Sequence, residues 1–202
     1  MMTTDILLAL TAFALVASIT PGPNNLMLMT SGTNFGFRRT IPHMAGVTIG
    51  FTAMIAIVGA GLRQVFDLFP FAYTILKWVS VVYLVYLSFK IAWASVPGQD
   101  GEPFAAESKP LSFIQAALFQ WINPKAWTLA LTACAAYVPK EHPVAGLGFV
   151  VIIFAIVNMP TVIIWAYLGV QIRRLLDKPA RLRMFNISAA LLLLASIYPV
   201  VF

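Results

Sequence analysis

Charge is scarce in this chain. Of 202 residues only 10% are Asp, Glu, Lys or Arg, and seven of those are acidic, against roughly 25% charged residues in soluble domains. So few charges cannot cover a water-facing surface. Cysteine is nearly absent too. Cys134 alone excludes an internal disulfide and a CxxC redox pair, and its apolar neighbourhood reads as packing. His43 and His142 stand far apart with no carboxylate at ligand spacing, so no metal site and no cofactor are expected. His-Glu-x-x-His, Gly-x-Ser-x-Gly and a pair of buried aspartates are all missing, which argues against an enzyme. The net charge of +6 and pI near 9.7 come with only 13 cations and no basic-aromatic module, so nucleic acid is not an expected partner.

What the chain has instead is apolar length. Hydrophobic residues make up 60% of it, and mean hydropathy is +0.88. A spanning helix needs about 20 mostly apolar residues, so about six spans take up most of the chain. Six stretches stand out: Ile6 to Thr30, Ile41 to Leu62, Phe69 to Ala94, Leu111 to Val138, Val144 to Val170 and Met184 to Phe202. Their lengths suit helices, and the lack of polar alternation argues against a barrel. The expected fold is an all-α polytopic membrane protein, one transmembrane domain over 1–202. The first stretch differs from a signal peptide: no basic residue precedes it, and it runs into Pro21-Gly22-Pro23.

Sidedness follows from the loop cations. Arg38, Arg39, Lys109, Arg173, Arg174, Lys178, Arg181 and Arg183 share one side under six-fold alternation, and only Arg63 and Lys140 fall on the other. Eight against two makes the first side cytoplasmic and puts both termini outside. One re-entrant segment would move the N-terminus inside.

Two of the stretches are interrupted. Pro21-Gly22-Pro23-Asn24-Asn25 breaks the first and Asn123-Pro124-Lys125 breaks the fourth, 101 positions apart from Pro23 to Pro124. The polar linker at about 95–110 divides the chain into halves of about 1–95 and 111–202. Three spans per half is an odd number, so the second half is inverted relative to the first. Paired broken helices in inverted repeats point to a transporter's binding site. Pro21 and Pro23 free the carbonyls of Ala17 and Ile19, and Pro124 frees that of Gln120. Asn24, Asn25 and Asn123 can donate to them. Each resumed helix starts with unpaired N–H groups at its positive end, and Lys125 adds a full charge there. These features suit a ligand with a carboxylate. Gly46 and Gly50 read as close helix packing or as a wall of the pathway. Trp121 and Trp127 read as packing or as a gate.

Thr20-Pro21-Gly22-Pro23-Asn24-Asn25, Gly36-Phe37-Arg38-Arg39 and Ala45-Gly46-Val47-Thr48-Ile49-Gly50-Phe51 resemble the amino-terminal signature of the LysE/RhtB family of amino-acid exporters. Asn123-Pro124-Lys125-Ala126 resembles its second motif. The motif detail is nearest to the branch exporting cysteine and O-acetylserine. The resemblance implies efflux of amino acids or derivatives across a bacterial inner membrane, by exchange with protons. From the paired breaks, substrate contacts are expected at Pro21, Gly22, Pro23, Asn24, Asn25, Asn123, Pro124 and Lys125. Members that export basic amino acids carry acids in the second helix and just after the second Asn-Pro. Gly50 and Leu129 stand in those neighbourhoods here. A neutral substrate of the threonine/homoserine, cysteine/O-acetylserine or leucine type is therefore expected. A basic amino acid and a non-transport scaffold are the alternatives. The coupling ion, proton or other, has no intramembrane carboxylate to ride on, and a homo-oligomer is left open.

Overall fold

The computed structural model describes residues 3–62, 70–94, 109–176 and 178–201. Most of the expected polar linker, with Asp100, Glu102 and Glu107, lies outside these residues, as does Arg63. Among the described residues every regular element is helical: α1 (Thr4–Ile19), α2 (Pro23–Phe35), α3 (Phe37–Ile57), α4 (Pro70–Ala92), α5 (Phe113–Phe119), α6 (Pro124–Tyr137), α7 (Pro143–Leu175), α8 (Pro179–Ala195) and the short α9 (Tyr198–Val201). A 3-10 turn, Gln120–Ile122, follows α5, and a π turn, Val58–Leu62, follows α3.

Local chemistry sets the helix ends. Pro occupies the first turn of α2, α6, α7 and α8, where its missing N–H has no intrahelical partner to lose. Thr3 caps α1 by accepting from the Ile6 amide at 3.4 Å. Ser112 and Gln115 form a reciprocal capping box at α5. The turn from α2 to α3 is made at Gly36, with φ of 80°, a left-handed conformation that suits glycine.

Several helix limits depart from the hydropathy boundaries, among them the starts of α3 at Phe37 and α8 at Pro179. The first stretch was expected to end near Thr30, yet α2 runs to Phe35. Its polar end stays helical because its side chains bond back one turn. Thr30, Thr33 and Asn34 donate to the carbonyls of Leu26 (2.6 Å), Met29 (2.9 Å) and Thr30 (2.9 Å). Similarly, α7 continues past Val170 to Leu175. Its 33 residues reach about 50 Å, beyond a hydrocarbon core of about 30 Å, so Arg173 and Arg174 ride on its projecting end.

The outer surface is apolar. Leu8, Leu15, Phe71, Val82, Ile152, Ile156 and Leu191 all point outward, as expected of helices solvated by lipid. Phe37–Gly61, Thr74–Ala92 and Pro143–Leu175 are each long and apolar enough to cross a membrane, and α1 with α2 forms a fourth such unit bent by 53°. The Leu111 to Val138 stretch is divided at Asn123, and α8 has 17 residues. The chain is an all-α polytopic membrane protein.

Two apolar cores hold the helices together. One joins Leu10, Ala14, Phe51, Met54, Trp127, Ala130, Val150 and Phe154. The other joins Met27, Leu28, Met44, Val47, Phe119, Val162 and Leu193. Between the two clusters lie the helix breaks at Ser18 to Asn25 and Gln120 to Lys125 and the buried polar residues Thr48 and Asn158. A polar layer therefore crosses the middle of the molecule.

Candidate functional site at the two helix breaks

At the first break the carbonyls of Ser18, Ile19 and Thr20 find side-chain donors, and Asn25 serves Ser18 and Thr20 rather than the expected Ala17 and Ile19. The Asn25 amide donates to Ser18 O (2.7 Å) and Thr20 O (2.9 Å). The Trp165 indole donates to Ile19 O at 3.3 Å. Gly22 is fully extended (φ −171°, ψ 178°), and no side chain caps the helix that starts after it. The positive end of α2 thus opens into the polar layer without a local anion.

The second break is closed differently. Pro124 frees the carbonyl of Gln120, which accepts the Asn123 amide at 3.3 Å. Asn123 was expected to donate; its side-chain oxygen instead accepts from the Lys125 amide at 3.1 Å and caps α6, because the first N–H groups of a helix need an acceptor more than the break needs a donor. That leaves Trp121 O without its usual partner, and the Trp127 indole supplies one at 2.8 Å. The two indoles pack edge to face, 6.0 Å apart.

The two breaks meet. The side-chain amides of Asn24 and Gln120 exchange hydrogen bonds at 2.8 and 3.1 Å, across 96 positions of sequence. Lys125 reaches over to donate its Nζ to Thr20 O at 2.6 Å. A Cβ at Gly22 would lie 2.7 Å from Lys125 Cδ, so glycine leaves the room the lysine stem occupies. Between the breaks lies a cavity of about 30 Å³, enough for about two waters. Gly22, Asn24, Asn25, Asn123 and Lys125 line it. Pro21, Pro23 and Pro124 shape the chain around it without forming its wall.

Gly46 and Gly50 lie elsewhere. A Cβ on Gly46 would strike the Phe113 carbonyl, and one on Gly50 would sit 2.5 Å from the Ala117 Cα. Both therefore set the approach of α3 to α5. Sequence reasoning missed Ser18, Gln120 and Asn158. Ser18 Oγ lies buried at the cavity with no partner among the described residues. Asn158, also in the wall, accepts from Thr48 Oγ1 at 3.2 Å. The signal was there for Asn158, a lone amide two positions before Pro160 in a long apolar run.

The electrostatics of this site are one-sided. Among the described residues Lys125 is its one charged wall residue, and no carboxylate lines it. A cation, a hydroxyl, several amides and a helix N-terminus can hold a carboxylate and its polar neighbours. The wall holds no carboxylate, histidine or cysteine to act as a base or a strong nucleophile. Among the described residues no group of three His, Cys, Asp or Glu forms a metal site.

Comparison with known proteins finds a family model and relatives. The family model described as "LysE type translocator" matches residues 15–196. A cysteine/O-acetylserine efflux protein of Escherichia coli O139:H28 is 30% identical over 96% of this chain and 96% of its own length. Proteins of that name from Escherichia coli strain K12 and Shigella sonnei strain Ss046 are 30% identical over 95% of both chains. No solved structure matches.

Proposed function

The chain belongs to the LysE type translocator family, and from that premise we propose that it exports neutral amino acids or their derivatives from the cytoplasm. It is a translocator, not an enzyme. The substrates we infer are small and uncharged in the side chain, of the cysteine/O-acetylserine or threonine/homoserine type. The observation that carries the reading is the meeting of the two breaks around Lys125, with no carboxylate among the described wall residues. A cationic side chain would face Lys125 with no counter-charge, which disfavours basic amino acids. A scaffold role leaves the paired breaks without a purpose.

In this reading the substrate carboxylate replaces the Thr20 carbonyl as the partner of Lys125, and the α2 N-terminus adds to its field. Asn24, Asn25, Asn123 and Ser18 take the remaining polar groups. Six spans in two inverted halves, the first and fourth counted as broken helices, rock about this site to open it to either side. The pairing of α3 with α5 and that of α1 with α7 exchange under such a pseudo-twofold, and that of α4 with α8 maps onto itself. The extensive α2–α7 joint, in contrast, has only a slight counterpart between α6 and α3. The cation-rich loops face the cytoplasm of an inner membrane, and an opposing proton gradient drives export.

Uptake by inside-out vesicles tests the proposal. L-cysteine, O-acetyl-L-serine, L-threonine, L-leucine and L-lysine are offered as labelled solutes under an imposed proton gradient. Neutral members of the panel should accumulate and lysine should not. Vesicles that move none of the neutral solutes above the empty-vector control would overturn the proposal.

A further inference from the structure

A second cavity lies at the cation-bearing end of the bundle. It measures about 60 Å³ and is enclosed by α2, α3, α4 and the segment leading into α5. His43 lines it, 1% exposed, and both ring nitrogens are buried with no hydrogen-bond partner among the described residues. A buried imidazole always presents at least one donor, and leaving its polar atoms unpaired is unfavourable.

The neighbouring polar groups are committed elsewhere. Ser31 Oγ pairs with Thr40 Oγ1 at 2.9 Å. Thr30 donates to Leu26 O, and Asn34 bonds both Thr30 O and the Asn186 side chain. His43 is therefore built to bond something that enters the cavity.

The charges around it describe the visitor. Among the described wall residues Lys90 and Lys109 carry the charge, and none of those residues is a carboxylate. α2 and α4 both end here, and helix C-termini carry negative partial charge. Full positive charges beside negative helix ends suit a zwitterion. Leu87 and Ile91 supply apolar wall for a short side chain. Position adds direction. His43 lies four residues, about one turn, from Val47, which lines the cavity between the breaks. The two cavities are stacked along α3.

We propose that this cavity is a loading site, which binds the α-amino acid by its carboxylate to Lys90 and Lys109 and by a hydrogen bond to His43 before it reaches the helix breaks. The inference rests on the export reading for its ligand and its direction.

The chain has only two histidines, and His142 caps α7 at the opposite end, so imidazole nitrogen NMR gives a site signal and an internal control. The full chain is labelled with ¹⁵N-histidine in lipid nanodiscs at one fixed pH, and His142→Gln assigns the two resonances. O-acetyl-L-serine, L-cysteine and L-threonine are titrated in turn. At least one should shift the His43 resonance saturably and leave His142 in place, in wild type and equally in Lys125→Ala. In vesicles, Lys90→Gln with Lys109→Gln should raise the half-saturating concentration of that solute five- to tenfold, with maximal rate changed less than twofold. A His43 signal unmoved by all three solutes overturns the site. So does a shift lost in Lys125→Ala, since it would then be relayed from the breaks. Wild-type vesicles that transport nothing sink the export reading instead, while the titration still decides whether the cavity binds.

Discussion

Lys125 is the residue on which the central site turns. It is half-buried, faces no acid and spends its charge on one backbone carbonyl, Thr20 O. Such a contact adds little to folding stability compared with what a full carboxylate could gain there. Lys125→Ala should therefore leave the protein inserted and thermally stable while transport falls about thirty-fold or more, the scale of a lost buried charge contact. Asn123→Ala should do both kinds of damage, since it removes the α6 cap at about 1 kcal/mol as well as a wall group. Uptake assays alongside melting curves of the purified variants separate the two. Full transport in both variants would reduce the second break to scaffolding. The prolines made these positions legible in sequence, because a missing N–H has a defined effect four residues back. The partners were not legible. Whether Gln120 meets Asn24, or Ser18 faces a cavity, depends on how separate helices are rotated against each other, and a uniformly apolar span has no polar face to report that rotation.

At the scale of elements, the tightest joint is the crossing of α2 and α7. A Cβ added to Gly32 would strike the Ala166 carbonyl, and one added to Gly169 would strike Met29 O. Thr33 donates across the same joint to Gly169 O at 2.9 Å. Here glycine is required by backbone proximity rather than by its torsion angles. Gly169→Ala should separate the helices and destabilise the protein by about 1–3 kcal/mol, read as a lowered melting temperature in detergent. Gly148→Ala, where a Cβ meets nothing within 4 Å, is the matched control and should be nearly neutral. The Gly46 and Gly50 spacing announced a close approach in advance, whereas Gly32 and Gly169, on different helices, carry no such pattern. The polar end of α2 was hidden for a related reason: side chains that bond back to their own helix look like a loop on a hydropathy scale.

The whole molecule is two apolar cores separated by a polar layer, with its cations gathered at one end. Composition alone placed it in a membrane, and the alternation of loop cations is the ground for the proposed direction. Single cysteines test that direction in a Cys134→Ser background, since Cys134 is the chain's only thiol. Lys140→Cys should react with an impermeant maleimide added outside intact cells, and Arg181→Cys should react only after permeabilisation. The reverse pattern would invert the topology and make the loading cavity face outward.

The central site is also occupied by the protein itself. Asn24 holds Gln120, and Lys125 holds Thr20, so in the proposed reading an arriving amino acid displaces these internal partners before it binds. Its apparent affinity is lowered by the fraction of molecules in which they have let go. An exporter built this way idles while its solute is scarce and turns over as the solute accumulates. In that reading it works as an overflow valve, its half-saturating concentration raised by three internal hydrogen bonds.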